Sequence, residues 1–158
     1  MKNKTLLGII ILILMITGCE KGTTNKLRVK ASFTITCVSP IEKLDVMDVQ
    51  NVITYYFNKK QYATDYIVET TQKFKKKENY EAYKRSQEET SLNSTENLKY
   101  RLYSDDEKLE LRFITENRNI DLDKEISKEA LKASKLLKSN KENKAECEIK
   151  GIKTNKIK

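Results

Sequence analysis

The chain has no histidine and no tryptophan, and its 158 residues include only four glycines and one proline. Without histidine, the usual general base near neutral pH and the commonest metal ligand are absent, so Ser-His-Asp and Cys-His arrangements are excluded within this chain. No serine is followed three residues later by a lysine, so the Ser-x-x-Lys acylation motif is absent as well. The scarcity of glycine excludes a glycine-rich loop that cradles phosphate groups.

Residues 1–18 have the pattern of a secretory signal peptide. Lys2 and Lys4 supply positive charge, and an apolar run follows from Leu6 to Ile16. The segment closes as Ile-Thr-Gly-Cys and resembles the bacterial lipobox, which implies cleavage between Gly18 and Cys19 and diacylglycerol transfer to Cys19. We therefore expect a protein held by lipid on the extracytoplasmic face of the cell membrane.

An uncleaved transmembrane anchor is the alternative interpretation of the same segment. The apolar stretch from Thr5 to Thr17 is shorter than the roughly 20 residues that a spanning helix needs, which favours the signal peptide. Two or three acyl chains on Cys19, each contributing about 0.8 kcal/mol per buried CH₂, would hold the domain at the bilayer. Residues 19–25 then form a short lipidated tether that keeps the folded domain near the membrane.

The two remaining cysteines, Cys37 and Cys147, form an even pair in a compartment that permits disulfides. Both occupy the apolar face of strand-like runs, so we predict a disulfide that closes nearly the whole mature chain. In the loop-entropy model such a bridge contributes about 4–5 kcal/mol. Two buried free thiols and a redox pair are the alternatives, and the lack of a Cys-x-x-Cys spacing disfavours the redox pair.

Carboxylates are the only remaining candidates for catalysis or metal binding. Asp121, Asp123 and Glu125 begin like a calcium loop, but Ile126 and Lys132 stand where that loop requires glycine and glutamate. Helix capping by either aspartate explains these residues better. A pair of carboxylates that assembles through space could serve a glycosidase, although no tryptophan is present to stack a sugar. We therefore assign no catalytic residue, no metal and no cofactor.

Alternation of apolar and polar residues, or a run rich in β-forming residues, predicts six strands. They are Leu27–Cys37, Val49–Phe57, Tyr62–Phe74, Leu98–Leu102, Leu109–Phe113 and Ala145–Ile149. Asn58–Gln61 reads as a hairpin link in which Asn58 supplies turn geometry without glycine, and the polar run Ser104–Glu107 reads as a solvated turn of a second hairpin.

Apolar residues at helical spacing predict helices over residues 77–92 and 123–139. The predicted inner positions are Tyr80, Tyr83, Gln87 and Thr90 in the first helix, and Ile126, Ala130, Ala133 and Leu137 in the second. The order βββαββαβ predicts an α+β fold, a mainly antiparallel β-sheet with two helices packed on one face. We divide the chain into a signal peptide (1–18), a tether (19–25), one domain (26–152) and a polar tail (153–158).

Two surface features could bind a partner. Tyr56, Tyr62 and Tyr66 lie on the central hairpin and could form a platform for a glycan, a peptide or lipid headgroups, although cross-strand pairing and core packing explain them more simply. Lys73 and Lys75–Lys77 could contact anionic lipid, and a solvated turn explains them equally well. Because the basic residues are nearly all lysine and the compartment is extracytoplasmic, we expect no nucleic-acid partner.

The chain resembles a family of small bacterial lipoproteins, the YehR-like lipoproteins. The resemblance lies in the lipobox at Cys19, in the run Val68–Phe74 with the Lys-Glu-Asn-Tyr-Glu-Ala-Tyr helix start, and in the closing segment Cys147–Gly151. It implies the compartment and a compact α+β domain, and it implies no catalytic residue.

Taken together, these features predict a lipid-anchored envelope lipoprotein that binds a ligand or accessory partner without catalysing a reaction. Its predicted partners are the membrane, through the N-terminal lipid, and an anionic envelope polymer or a protein. A small envelope hydrolase that uses carboxylates is the alternative, and a passive coat component is a third possibility. The sequence does not indicate an oligomeric state.

Overall fold

The structure is a computed structural model that describes residues 31–123 and 125–157. The predicted signal peptide, the predicted cleavage site after Gly18 and the predicted acylation site at Cys19 lie outside the described residues. The elements follow the order β1 (Phe33–Val38), β2 (Glu42–Lys43), β3 (Met47–Phe57), β4 (Ala63–Phe74), α1 (Lys77–Ser91), β5 (Leu98–Asp105), β6 (Glu110–Asn117), α2 (Glu125–Ala130), α3 (Ala133–Glu142) and β7 (Glu146–Lys150), and a 3₁₀ turn at Thr154–Lys156.

The described strands form one sheet in the order β5-β6-β4-β3-β1-β7, with β2 also paired to β3. Each of these pairings is antiparallel, which confirms the mainly antiparallel α+β architecture. The strand that the sequence did not predict is β2, which has two residues and is too short to show alternation.

Buried side chains of the sheet collect into two clusters. The disulfide-side cluster contains Phe33, Ile35, Cys37, Tyr55, Phe57, Ala63, Tyr66, Val68, Leu131, Ala133 and Leu136. The α1-side cluster contains Met47, Val49, Phe74, Tyr80 and Leu111. Because directly paired residues share a face, the register places the strand residues of both clusters on the same face of the sheet.

The β3–β4 hairpin closes through the side chain of Asn58. Its Oδ1 accepts the backbone N–H groups of Lys60 at 2.9 Å and Tyr62 at 3.1 Å. The residue with positive φ is Gln61, at 67°, so Asn58 contributes hydrogen bonds to the turn, and the left-handed backbone belongs to its neighbour. The register then shifts between Tyr56 and Phe57, which adds one residue to β4 as a β-bulge.

The single helix predicted over residues 123–139 is corrected by the structure. The helix ends at Ala130 and resumes at Ala133 because the intervening backbone pairs with the hairpin. Lys132 has an extended backbone and forms an isolated β-bridge with Tyr62. Two backbone hydrogen bonds of 2.9 Å flank this bridge. In one the N–H of Ala63 donates to the Leu131 carbonyl, and in the other the N–H of Ala133 donates to the Gln61 carbonyl. The phase of the apolar stripe changes at this break, so Leu131 and Leu136 are buried and Ala130 is exposed.

The residues after β7 also differ from the polar tail predicted for 153–158. Ile152 and Ile157 pack against the disulfide-side cluster, and Nε2 of Gln61 donates to the Lys156 carbonyl at 2.8 Å. Gly151 makes this return possible, since it has φ of +93° and a Cβ there would lie 3.1 Å from the Cα of Phe33. Two isoleucines spaced five residues apart do not form a periodic pattern, which is why the sequence did not reveal this packing.

Candidate binding surface

The predicted disulfide between Cys37 and Cys147 is confirmed. The two residues are direct partners in the antiparallel β1–β7 ladder, with their Cα atoms 4.1 Å apart and 110 residues between them in sequence. Cys37 is only 1% exposed, so the bridge belongs to the core. It fastens the edge strand β7 to the first described strand and thereby closes the described domain on itself.

The three tyrosines predicted as one binding surface are not brought together. Tyr66 is 5% exposed and belongs to the disulfide-side cluster, where its hydroxyl accepts from Nδ2 of Asn117 at 3.1 Å. Burial raises the pKa of Tyr66, and it also raises the pKa of Tyr55, whose ring centroid lies 6.3 Å away. These two rings therefore act as neutral core residues.

Tyr56 and Tyr62 occupy separate places. Tyr56 is opposite Asp65 in the β3–β4 ladder and points to the face away from Tyr66. Tyr62 lies at the end of the hairpin, where Nζ of Lys128 is 5.5 Å from its ring centroid. Both are half-buried, so each is accessible only in part.

The sheet face that turns away from both buried clusters carries several interacting polar groups, and we call it the polar face. It is formed by Thr34 and Thr36 of β1, Thr54 and Tyr56 of β3, Ile67 and Glu69 of β4, Lys99, Arg101 and Tyr103 of β5, and Arg112, Ile114 and Glu116 of β6. Strand alternation produces this set directly, because these residues occupy the positions between the buried ones.

On the polar face, near the end of β6, Glu116 is 3% exposed and is held by two arginines. Its Oε1 accepts from Nε of Arg118 at 2.8 Å and from Nη2 of the same residue at 2.7 Å. Nη2 of Arg101 lies 3.6 Å from its Oε2. Charge-assisted hydrogen bonds of this kind offset the cost of burying a carboxylate.

Arg112 extends this arrangement towards the edge strand. Its guanidinium carbon is 4.7 Å from the ring centroid of Tyr103, its direct partner across β5 and β6, and its Nη1 is 3.6 Å from Oε1 of Glu69. Tyr103 remains 45% exposed. The result is a cation–π contact between an arginine and a tyrosine that is open to solvent.

A second buried carboxylate, Asp65, lies beside the β-bulge and is 4% exposed. Its Oδ2 accepts from the hydroxyl of Thr64 at 2.9 Å, and its Oδ1 accepts from the backbone N–H of Asn119 at 3.2 Å. Each oxygen of Glu116 and Asp65 therefore has either a hydrogen-bond donor or an arginine nitrogen within 3.6 Å. Over residues 31–123 and 125–157 we find no group of three or more Asp, Glu, Cys or His side chains that could hold a metal ion.

The lysines predicted to contact lipid lie around the turn between β4 and α1. Nζ of Lys75 is 4.0 Å from Oδ1 of Asp48, and Nζ of Lys77 is 3.8 Å from Oε1 of Glu81. This turn therefore has its own acidic partners, which reduces the positive potential that it offers to a membrane.

The sequence analysis did not identify Arg101, Arg112 and Tyr103 of the polar face as candidate binding residues. Their alternation within β5 and β6 was a visible signal, but the contact between Tyr103 and Arg112 depends on which residues of the two strands pair. That register is fixed by the turn after Asp105, where Leu109 adopts a φ of 52°.

The chain was also compared with known proteins. Comparison with protein families, with curated proteins and with solved structures gives no match. Among the helices that the structure describes, none has the length and apolar character needed to cross a bilayer.

Proposed function

We propose that this protein is a lipid-anchored extracytoplasmic lipoprotein that binds a protein partner and is not an enzyme. The disulfide between Cys37 and Cys147 is the observation that carries the proposal, because such bridges form and persist mainly in oxidising compartments outside the cytosol. The lipobox places the acylated residue, Cys19, before the described domain. A disulfide and a lipobox point independently to the same compartment.

The finer arrangement of the helices is part of the proposal. Tyr80 of α1 packs with Leu111 of β6, and Leu136 of α3 packs in the disulfide-side cluster with Phe57 of β3. Since the strand residues of both clusters share a face, α1 and α3 would cover that face together. The polar face would then be left for a partner.

The composition of the polar face supports a protein as that partner. Tyrosine and arginine are enriched among residues that dominate binding energy at protein interfaces, and Tyr103 with Arg112 supplies one of each in a cation–π contact. Arg112 and Arg101 are each paired with a glutamate, so this face has mixed charge. A long anionic polymer would be repelled by those glutamates as well as attracted by the arginines, whereas a protein can match both signs.

The contacts of the two buried carboxylates support binding over hydrolysis. An inverting or retaining glycosidase needs one carboxylic acid that protonates a leaving group and a second carboxylate that faces the sugar. Glu116 is held by Arg118 and Arg101, and Asp65 by Thr64 and Asn119. Each of these four oxygens therefore faces a hydrogen-bond donor or an arginine within the described structure.

The anchoring part of the proposal is tested by acylation. Cells that produce the protein are fed an alkyne-bearing fatty acid, and the protein is compared with its Cys19→Ala variant. We expect label on the wild type and none on the variant, together with loss of the variant from the membrane fraction. A Cys37→Ala/Cys147→Ala variant serves as the matched control, because it removes two cysteines and keeps the lipobox. Label that persists on Cys19→Ala would contradict the proposal.

The binding part is tested by site-specific photo-crosslinking in the same cells. A benzophenone amino acid is placed at Tyr103 on the polar face or at Tyr83 on α1, a tyrosine that is also exposed. We expect one protein adduct of discrete mass from position 103, and its loss when Arg112→Ala is added. An adduct from position 83 alone would assign binding to the helical side instead.

A further inference from the structure

One end of the molecule collects four parts of the chain that are distant in sequence. The backbone N–H of Ser32 donates to the Phe57 carbonyl at 2.8 Å, so the described chain begins beside the tip of the β3–β4 hairpin. Gln61 in that tip bonds to the start of α3 at Ala133 and to the carbonyl of Lys156. We call the residues 58–62, 128–132 and 151–157 the lysine end.

The lysine end has a strong excess of positive charge. It contains Lys59, Lys60, Lys128, Lys132, Lys153 and Lys156, and Glu129 is its one acidic residue. Five of the six lysines are exposed, and Lys132 is half-buried. The formal charge is therefore +5, out of +8 for the whole chain, and it stays at +3 when Asp121 and Asp123 of the neighbouring loop are included.

Several lysines at the opposite end of the sheet are instead held in ion pairs. Ion pairs join Lys75 to Asp48, Lys77 to Glu81, Lys84 to Asp106 and Lys108 to Asp105 around the opposite end of the sheet. Within residues 31–123 and 125–157, the six lysines of the lysine end form no ion pair, and Lys128 contacts the ring of Tyr62 instead. Ammonium groups that lack internal counter-charges are available to an external anion.

We propose that the lysine end binds the anionic phospholipid headgroups of the membrane that carries the protein. The proposal rests on the proposed lipid anchor, because the chain enters the described domain at this end. Residues 19–31 reach at most about 40 Å when fully extended, at roughly 3.3 Å per residue. They add Lys21, Lys26, Arg28 and Lys30 against a single acidic residue, Glu20, so their charge has the same sign.

Three physical consequences follow from this geometry. The interaction weakens at high salt, because the Debye length falls from about 8 Å at physiological ionic strength to about 3 Å at 1 M. Tyr62, which contacts Lys128 at this end, would lie at the headgroup level where tyrosine is enriched. The far end of the sheet, where Lys75, Lys77, Lys84 and Lys108 are in ion pairs, would point away from the bilayer.

The experiment uses the full acylated chain, purified and reconstituted into two kinds of vesicle. One is phosphatidylcholine alone and the other contains phosphatidylglycerol as well. Exposed amines are acetylated with a water-soluble reagent and each lysine is quantified by mass spectrometry. We expect severalfold protection of Lys59, Lys60, Lys128 and Lys156 on the anionic vesicles, no protection of the far-end residues Lys73 and Lys76, and loss of the effect in 1 M salt.

Matched variants of equal charge change give the second readout. Lys59→Gln/Lys60→Gln/Lys153→Gln/Lys156→Gln removes four charges from the lysine end, and Lys43→Gln/Lys73→Gln/Lys76→Gln/Lys141→Gln removes four from elsewhere. We expect Lys128 to lose its protection in the first variant and to keep it in the second. All of these side chains are exposed, so both variants should fold.

The possible outcomes separate this proposal from the anchor on which it rests. Acylated protein whose lysine end is modified equally on both vesicles overturns the headgroup contact and leaves the anchor intact. Absence of an acyl group from the Cys19 peptide overturns both. Protection produced by added polyphosphate on phosphatidylcholine vesicles, without protection by phosphatidylglycerol, would assign the lysine end to a soluble polyanion and also overturns the proposal.

Discussion

The two buried clusters use the same sheet but are held together by different means. The disulfide-side cluster is the larger, and it is closed by a covalent bond and by the returning residues Ile152 and Ile157. The α1-side cluster is smaller, and α1 is fastened to it by Tyr80, whose hydroxyl donates to Asp106 in the β5–β6 turn. Between the clusters, Thr70 and Asn51 are joined by a 2.7 Å hydrogen bond.

The two clusters are therefore stabilised by different forces. A cluster with many buried side chains and a bridge across 110 residues relies on apolar burial and on a restricted unfolded chain, which change little with pH. A smaller cluster closed by charged and polar contacts at an exposed turn relies partly on electrostatics. We therefore expect the α1 side to open first under mild destabilisation, and above all in acid.

The largest effect is expected from removing the disulfide. Cys37→Ala/Cys147→Ala should lower the free energy of unfolding by about 4–5 kcal/mol, because the bridge closes most of the described domain into one loop. The measurement is urea unfolding of the oxidised wild type and the variant. A loss below about 1 kcal/mol would show that the larger cluster is held mainly by apolar burial. It would contradict the proposal that a covalent bond distinguishes the two clusters.

A matched pair of leucines tests whether the clusters open separately. Leu111 of the α1-side cluster and Leu136 of the disulfide-side cluster are both buried, and each Leu→Ala change should cost about 3 kcal/mol. Hydrogen exchange should then accelerate mainly in α1, β5 and β6 for Leu111→Ala, and mainly in α3 and β7 for Leu136→Ala. Equal acceleration everywhere in both variants would show one cooperative unit.

The strands of this sheet were predictable because their pattern is local. Residues 49–57 and 62–74 alternate or carry a β-rich apolar run, and the observed β3 and β4 differ from the predicted bounds by one or two residues. The disulfide was predictable because two cysteines remained on apolar strand faces. These inferences need no knowledge of which segments meet in space.

Several features that the sequence did not reveal depend on contacts between distant segments. The break in the helix at Lys132 arises from pairing with Tyr62, seventy residues earlier in the chain. The contact between Arg112 and Tyr103 needs the register of β5 on β6, and the lysine end needs the hairpin tip, α2 and the chain after β7 to converge. The composition shows an excess of lysine, but only the fold shows which lysines lie together at one end of the domain.

A smaller effect is expected at the return of the chain onto the disulfide-side cluster. Gly151→Ala should destabilise the protein by about 1–3 kcal/mol, because its φ of +93° disfavours a side chain and the new Cβ would approach the backbone of Phe33 and Ser32. Lys144 also has a positive φ, of 59°, and is exposed, so Lys144→Gly is the matched control and should be neutral or stabilising. Thermal unfolding measures both, and equal melting temperatures for the two variants would contradict this role of Gly151.

The smallest effect, and the one specific to the α1 side, concerns acid. Hydrogen bonds from Lys84, at 2.8 Å, and from Tyr80 hold the pKa of Asp106 below its ordinary value of 3.8. Because the folded pKa is the lower one, the carboxylate's contribution to stability is fully present above the ordinary value and is lost as the pH falls through the folded pKa. Asp106→Asn should therefore lower stability at neutral pH and make progressively less difference below about pH 4.

Urea unfolding at neutral and acidic pH measures the difference in stability between the wild type and Asp106→Asn, which should shrink in acid. Glu129→Gln, at the lysine end, is the matched control: no ion pair joins Glu129 to another described residue, so its stability difference should stay small at both pH values. If the stability difference shrinks in acid for Asp106→Asn alone, the acid-sensitive contact lies at the β5–β6 turn that binds α1. A constant difference across the pH range would instead mean that Asp106 acts through packing or turn geometry, and the α1 side would then be held by the same kind of force as the disulfide side.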